Sequence, residues 1–277
     1  MKQFKQITII GVGLLGGSIG MAVKKKHLAG KVVGFFRDKT KIKAAIRIGA
    51  IDQGSNNLRE AVKGSDLVIL CSPVNDIISK LKDLKIIGLG DTLITDTGST
   101  KSEIIKAAQG LNFVGSHPLA GSEQSGAAFA KPQLFESSVC IVTPKEKRSQ
   151  SAEKITKFWK ALGSETITMT PKDHDHILSF TSHLPHAAAF ALIKCVPKNL
   201  FKFSAGGLKD TTRIALSNPL VWLDIFLSNR TNMLNSIISL EKSLSRIKDA
   251  LTKGDRKKLL SFLKVAQANR KSLTQKP

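Results

Sequence analysis

Apolar residues follow two different rhythms in the two halves of the chain. In the first half they come as short runs separated by helical patterns. Ile7-Thr-Ile-Ile10 is followed by Gly11-Val-Gly13-Leu-Leu-Gly16-Gly17 and then by an apolar helical stretch that stops at Lys24-Lys25-Lys26. That order predicts a strand, a tight glycine turn and the opening of a helix. Further strands are predicted at 31–36, 66–71, 92–96, 112–115, 138–143 and 165–169, with a short turn or strand beginning at Ala50-Ile-Asp52. The run Asp66-Leu-Val-Ile-Leu-Cys71 is apolar almost throughout, as a parallel strand covered on both faces must be, and Ser72-Pro73-Val74 ends it. Beyond Pro171 the strand signals stop. Long amphipathic stretches at 173–196, 205–216, 219–247 and 255–272 predict helices alone. The fold class expected is an α/β Rossmann dinucleotide-binding domain over 1–168, followed by an all-α domain over 169–277.

Composition narrows the class. The chain has 277 residues, 42% of them hydrophobic, and no apolar run long enough to span a bilayer, which fits a globular protein with a cytoplasmic location. The apolar segment near Met1 is broken by glycines and lacks a cleavage-site pattern, so it reads as a buried strand and helix rather than as a signal peptide. Cys71, Cys140 and Cys195 stand singly, without the spacing of a disulfide framework or a zinc cluster. The formal charge of +22 invites a nucleic-acid partner. The lysines are scattered over both halves, however, and no basic stretch is interleaved with aromatic residues, so neither a specific nucleic acid nor a membrane is expected as a partner. A dispersed positive field raises encounter rates with anionic small molecules instead.

Chemistry concentrates in two places. In the glycine turn, Gly11 permits the tight turn, Gly13 lets the backbone approach a pyrophosphate, and Gly16 lets the helix pack closely on the strand. Leu14 and Leu15, at the helix start, complete this phosphate-facing set, and a helix N-terminus favours anions. The second place is His117-Pro-Leu-Ala-Gly121-Ser122-Glu123-Gln-Ser-Gly126, a turn-rich loop holding a histidine and a glutamate. His174, His176, His183 and His186 lie close in sequence, but no cysteine or glutamate completes a zinc pattern, and no metal is expected.

Seven motifs stand in order: Gly11-Val-Gly-Leu-Leu-Gly-Gly-Ser18, Asp96-Thr-Gly-Ser-Thr-Lys101, Gly115 to Gly126, His174-Asp175, Ser182-His-Leu-Pro-His186, Gly206-Gly-Leu-Lys-Asp-Thr-Thr-Arg-Ile214 and Trp222 to Arg230. In them the chain resembles the prephenate and arogenate dehydrogenases of tyrosine biosynthesis, and the likeness runs nearly end to end. The resemblance implies oxidative decarboxylation of prephenate to 4-hydroxyphenylpyruvate, or of arogenate to tyrosine, with hydride transfer to NAD or NADP. Such chemistry needs a proton acceptor, groups to hold two carboxylates and a fixed hydride path.

The resemblance also implies roles for individual residues. His117 is the expected proton acceptor, and Ser99 is expected to bridge it, the substrate hydroxyl and the nicotinamide. Ser99 or Thr100 also reads as an N-cap of the helix that follows. Arg213 is expected to grip a substrate carboxylate, with Asp210 orienting it. His186 and His183 are expected as substrate-binding donors, Gly121, Ser122 and Glu123 as the loop side of the substrate site, and Glu123 as part of an ionic gate. Ser72, Pro73 and Val74 are expected to line the dinucleotide. An acidic residue selecting the ribose 2′-hydroxyl belongs at the end of the second strand, where Phe36 and Arg37 stand; this leans toward NADP, with Asp38 as the residue that would restore NAD use. A homodimer built on the helical half, a single activity, and feedback by tyrosine, if any, acting at the active site are the remaining expectations. Two rival classes make different demands on the sequence. Another β-hydroxyacid dehydrogenase would rely on a lysine in the helical half rather than the His117 loop, and a nucleic-acid-binding protein would use the charge and not the glycine turn.

Overall fold

A computed structural model describes residues 3–121, 124, 126–146 and 149–273. Its strands are β1 (Phe4–Ile10), β2 (Ala29–Phe35), β3 (Gln53–Ser55), β4 (Leu67–Leu70), β5 (Leu93–Asp96), β6 (Phe113–Pro118), β7 (Val139–Thr143) and β8 (Glu165–Thr168). The helices are α1 (Leu14–Lys25), α2 (Ile42–Arg47), α3 (Leu58–Val62), α4 (Val74–Ile87), α5 (Ser102–Ala107), α6 (Gln150–Leu162), α7 (Pro171–Leu178), α8 (Leu184–Cys195), α9 (Gly206–Thr212), α10 (Pro219–Ser228), α11 (Arg230–Thr252) and α12 (Arg256–Ser272). The chain forms two compact units, Met1–Asn229 and Arg230–Pro277.

In the first unit the described strands make one sheet in the order β3-β2-β1-β4-β5-β6-β7-β8. All neighbours are parallel except β6 and β7. Period-two alternation sends Ile7, Ile9, Leu67 and Ile69 into the core beneath α1 and α6, where Phe158 and Trp159 lie. The intervening Ile10, Val68 and Leu70 enter the opposite core, with Ile77 and Leu81 of α4. Both faces are covered, which explains why β4 is apolar at every position.

Two helical stretches depart from the simple pattern. The segment expected as one helix over 173–196 is α7, a π-helical turn at Ser179–His183, and α8. Pro185 lacks the N–H that would bond back to Thr181, and the turn widens there. The stretch 219–247 breaks at Asn229, whose buried side chain donates to the Asp175 carbonyl at 2.7 Å. In the second unit α11 and α12 form a hairpin. Gly254, with φ of +61°, turns the chain, and the Asp255 side chain accepts from the Lys258 N–H at 2.9 Å to cap α12.

A buried ion pair sets the geometry at the carboxyl end of β5. The β5–β6 ladder ends at Thr95↔Val114. Past that point side chains take its place: Asp96 Oδ1 accepts from the Ser116 N–H at 3.0 Å, and Lys101 Nζ donates to the Ser116 carbonyl at 2.8 Å. Lys101 also pairs directly with Asp96, and both are fully buried. Replacing Lys101 by Met leaves the Asp96 charge without its cation, so the expected cost is about 3–5 kcal/mol. Urea unfolding of the variant against the parent checks it, and an unchanged midpoint would contradict the clamp.

Candidate functional site

The glycine turn joins β1 to α1 at the carboxyl edge of the sheet. Gly11 has φ of +94°, and a Cβ there would sit 2.8 Å from the Cys71 carbonyl oxygen. A Cβ on Gly16 would lie 2.2 Å from the Gly11 carbonyl oxygen, so the turn and the first helical turn are in direct backbone contact. Gly13 differs, because a Cβ on it would meet nothing within 4 Å. It stands at the N-cap of α1, with no side chain capping the helix, so the N–H groups of Leu14 and Leu15 belong to an uncapped helix start. Across the turn, Ser72 and Pro73 lead into α4 at Val74, and the Ser72 hydroxyl is buried with no partner in the structure. Open space at Gly13, an uncapped helix start and an orphaned hydroxyl fit a pyrophosphate-bearing dinucleotide.

At the end of β2, Phe36 is buried and Arg37 projects outward, its side chain 81% exposed and 4.0 Å from Asp76. Asp38 turns back instead: its Oδ1 accepts from the Thr40 N–H at 3.0 Å and from the Thr40 hydroxyl at 2.6 Å. Those bonds hold its carboxyl below the usual range.

A second cleft, about 670 Å³ in volume, is walled by Ser99, His117 and Gly121 on the sheet side and by Ser182, His186, Arg213 and Trp222 on the helical side. His117 sits at the end of β6, which the Asp96–Lys101 clamp fixes. Its Nδ1 is 2.8 Å from Nε2 of His174, whose Nδ1 is 2.9 Å from Asp175 Oδ1. Asp175 also accepts the Lys101 N–H at 2.7 Å and the Ser102 N–H at 2.8 Å. Burial works to raise its carboxyl, but the hydrogen bonds from His174, Ser102 and Lys101 outweigh it and hold the group ionised.

These partners fix the tautomers. An ionised Asp175 only accepts, so His174 donates from Nδ1 and presents a lone pair at Nε2. His117 must then donate from Nδ1, which leaves Nε2 as the unprotonated nitrogen for the cleft. Burial, with further contributions from His174, Lys101 and His183, holds His117 well below its ordinary pKa. The assembly therefore presents a neutral, oriented proton acceptor.

Of the nine residues singled out as catalytic or substrate-binding, Ser99, His117, Gly121, His186 and Arg213 line this cleft. Ser122 and Glu123 lie outside the described residues. His183 does not line the cleft and so is not positioned as a substrate donor. It is buried behind the wall, its Nδ1 3.2 Å from Asn229 Nδ2 and its Nε2 without a hydrogen-bond partner in the structure. Asp210 is not in the lining either; its Oδ2 lies 3.6 Å from where a Cβ on Gly206 would be, at the start of its own helix. Neither Ser99 nor Thr100 is the N-cap of α5. That position is Lys101, and the carboxylate of Asp175 satisfies the helix start in place of a local side chain. The supporting roles of His174 and Asp175 escape sequence reasoning, because a relay to a partner 57 residues away leaves no local spacing. No group of potential metal ligands is found among the described residues.

Comparisons with known proteins agree along the whole chain. Residues 19–168 match the family profile described as "Prephenate dehydrogenase, nucleotide-binding domain", and residues 170–265 match "Prephenate dehydrogenase, dimerization domain". Prephenate dehydrogenase of Bacillus subtilis is 34% identical, over 99% of this chain and 77% of that protein. Cyclohexadienyl dehydrogenase of Zymomonas mobilis is 33% identical, over 99% of this chain and 97% of that protein. Among solved structures, the prephenate dehydrogenase of Aquifex aeolicus, in complex with hydroxyphenyl propionate and NAD+, superposes with a TM-score of 0.88. It is 34% identical over 99% of this chain and 98% of that one.

The buried histidines make stability depend on pH with a defined sign. Burial, and the neighbouring His174, push His183 down to about 4, and burial likewise lowers His174 and His117. A histidine depressed in the folded state contributes stability that is complete above its unfolded pKa of about 6.5 and is lost as pH falls toward the folded value. The urea midpoint is therefore expected to fall between pH 6.5 and about 4. His183→Gln, which cannot protonate, should flatten part of that slope; an unaltered slope would contradict the burial of a neutral His183.

Proposed function

Because the chain belongs to the prephenate dehydrogenase family, we propose that it catalyses the oxidative decarboxylation of prephenate or arogenate with a nicotinamide dinucleotide. The single observation that carries this reading is the Asp175–His174–His117 chain, which delivers a neutral imidazole with a lone pair to the cleft. His117 Nε2 takes the ring-hydroxyl proton as hydride leaves the same carbon. Loss of the ring carboxylate as carbon dioxide then gives an aromatic ring, which makes the step effectively irreversible. The dinucleotide, when bound, supplies the hydride acceptor. Ser99 stands in the same wall and offers a hydroxyl to hold the substrate oxygen. Arg213, across the cleft, provides a planar guanidinium for a substrate carboxylate. The unprotonated state of His117 is favoured by burial, so it needs no deprotonation before reaction at neutral pH.

The dinucleotide would be held by the backbone of Gly11, Gly13, Leu14, Leu15 and Gly16, with Ser72, Pro73 and Val74 opposite. We assign Arg37 to the ribose 2′ position and read the cofactor as NADP in preference to NAD. Support comes from the exposed guanidinium and from Asp38, whose carboxylate is engaged with Thr40. We set the boundary between the dinucleotide-binding and helical halves at residues 168 and 169, supported by the two family matches, which end at 168 and begin at 170. The partner is a second copy of the chain. Supporting this are the profile described as a dimerization domain and the exposed Leu220, Leu223 and Leu227, which form one face of α10. A cytoplasmic location accords with three free cysteines, and no helix among the described residues is long and apolar enough to cross a membrane.

The decisive experiment measures nicotinamide reduction with prephenate and with arogenate, each paired with NAD and with NADP. Turnover is expected in at least one pairing, with NADP ahead of NAD; no turnover in all four, from folded protein, would overturn the assignment. His117→Asn should lower kcat by roughly 10²–10⁴-fold while dinucleotide affinity stays near the parent value. Leu220→Glu, a charge on the apolar face, should shift the mass seen by light scattering toward one chain.

A further inference from the structure

His186 carries an inference that rests on this reading and concerns how the site treats the substrate's side chain. The ring stands four residues after Ser182, and Nδ1 lies 3.0 Å from the Ser182 carbonyl oxygen. A carbonyl only accepts, so Nδ1 keeps its hydrogen whether the ring is neutral or charged. That carbonyl is reachable because Ser182 belongs to the π-helical turn just before α8. The ring also lies flat on the Trp222 indole, with centroids 3.5 Å apart and planes 21° apart. Two contacts thus restrain its rotation, and Nε2 is the nitrogen left for the cleft that His186 lines. A hydroxyl or an amide can reverse its role by rotating, but this imidazole cannot. Nε2 accepts when the ring is neutral and donates only after the ring gains a proton.

We propose that His186 discriminates keto from amino side chains by its protonation state: it takes up a proton to donate to a keto-acid substrate, and it stays neutral to accept from the ammonium of an aminated one. The charges around it favour this behaviour. His183 precedes it on the same helical segment and is buried. Arg213 faces it from the turn after α9, Trp222 covers it from α10 without a charge, and His117 lines the same cleft. The helix α9, which packs on α8, carries Lys209 and Asp210, and neither lines the cleft. Burial and Arg213 hold His186 below its ordinary pKa despite the Ser182 carbonyl, so without ligand it is neutral at pH 7. A carboxylate seated on Arg213 offsets that cation and adds negative charge beside the ring, which raises its proton affinity. An ammonium at the same place does the reverse.

Linkage then gives opposite signs. Affinity for the keto ligand falls as pH rises through the raised, ligand-bound pKa of His186, approaching about tenfold per pH unit. Affinity for the amino ligand falls as pH drops through the depressed, ligand-free value.

The test is calorimetric titration of the full chain, saturated with its dinucleotide, using 4-hydroxyphenylpyruvate and tyrosine as probes. Buffers of differing ionisation enthalpy at about pH 7.5 report the protons exchanged. The expected result is net uptake approaching one proton with the keto acid, essentially none with tyrosine, and loss of the keto-acid uptake in His186→Gln. Equal uptake with both probes, or uptake that survives in His186→Gln, overturns the proposal. Should that variant fail to fold, the pH dependence of KM in the parent decides: profiles of the same sign for prephenate and arogenate reject it. Failure of the underlying reading would look different, as no turnover of either substrate; turnover without a difference in proton uptake rejects this inference alone.

Discussion

The site depends on one buried ion pair. Where β6 leaves β5 to run antiparallel with β7, the backbone of Ser116 loses its strand partner on that side. Asp96 and Lys101 meet both of its polar groups, and each neutralises the charge of the other in the buried interior. Two charges left there singly would be expensive; together, with their hydrogen bonds complete, they hold His117 in the next position of the strand. The same short loop between β5 and α5 contributes Ser99 and offers its backbone N–H groups to Asp175. Strand end, loop and histidine chain are therefore one hydrogen-bonded body rather than three neighbouring pieces.

This explains how His117, half-buried at the cleft wall, presents one defined nitrogen. Burial alone would leave an imidazole neutral but free to present either nitrogen. The ionised Asp175 removes that freedom, passing a single orientation through His174 to His117. The backbone N–H groups at the start of α5 keep Asp175 charged, so a local feature of helix termini decides which nitrogen of His117 is left unprotonated. His117 itself does not have to lose a proton to present that lone pair.

Much of this was legible in the residues. The glycine turn, the alternating strands and the apolar run of β4 follow from period and from turn chemistry, and their ends shift by only a few residues in the structure. The helical half was less legible. Pro185 and Asn229 interrupt patterns that look continuous, because an amphipathic stripe says which face is buried and little about where a helix changes axis. For the site, motif residues such as Ser99, His117 and Arg213 do share a cleft, whereas His183 falls behind it. A histidine three residues from another on a regular helix would share its face; the π turn and the proline alter that register. Asp175 and Lys101 stand in two of the motifs, but their roles were not readable there, since their partners are fixed only by the tertiary fold.

The widened turn at Ser179–His183 bears on how this protein can change over evolutionary time. In a helix each residue advances the chain by about 100°. Adding or removing one residue between Leu178 and Pro185 would rotate α8 by that amount and carry His186 off the Trp222 ring. Point replacements in this stretch alter one group at a time, but a single-codon insertion or deletion would reorient the whole wall. Lineages that keep the reaction should therefore vary here in residue type and remain constant in length.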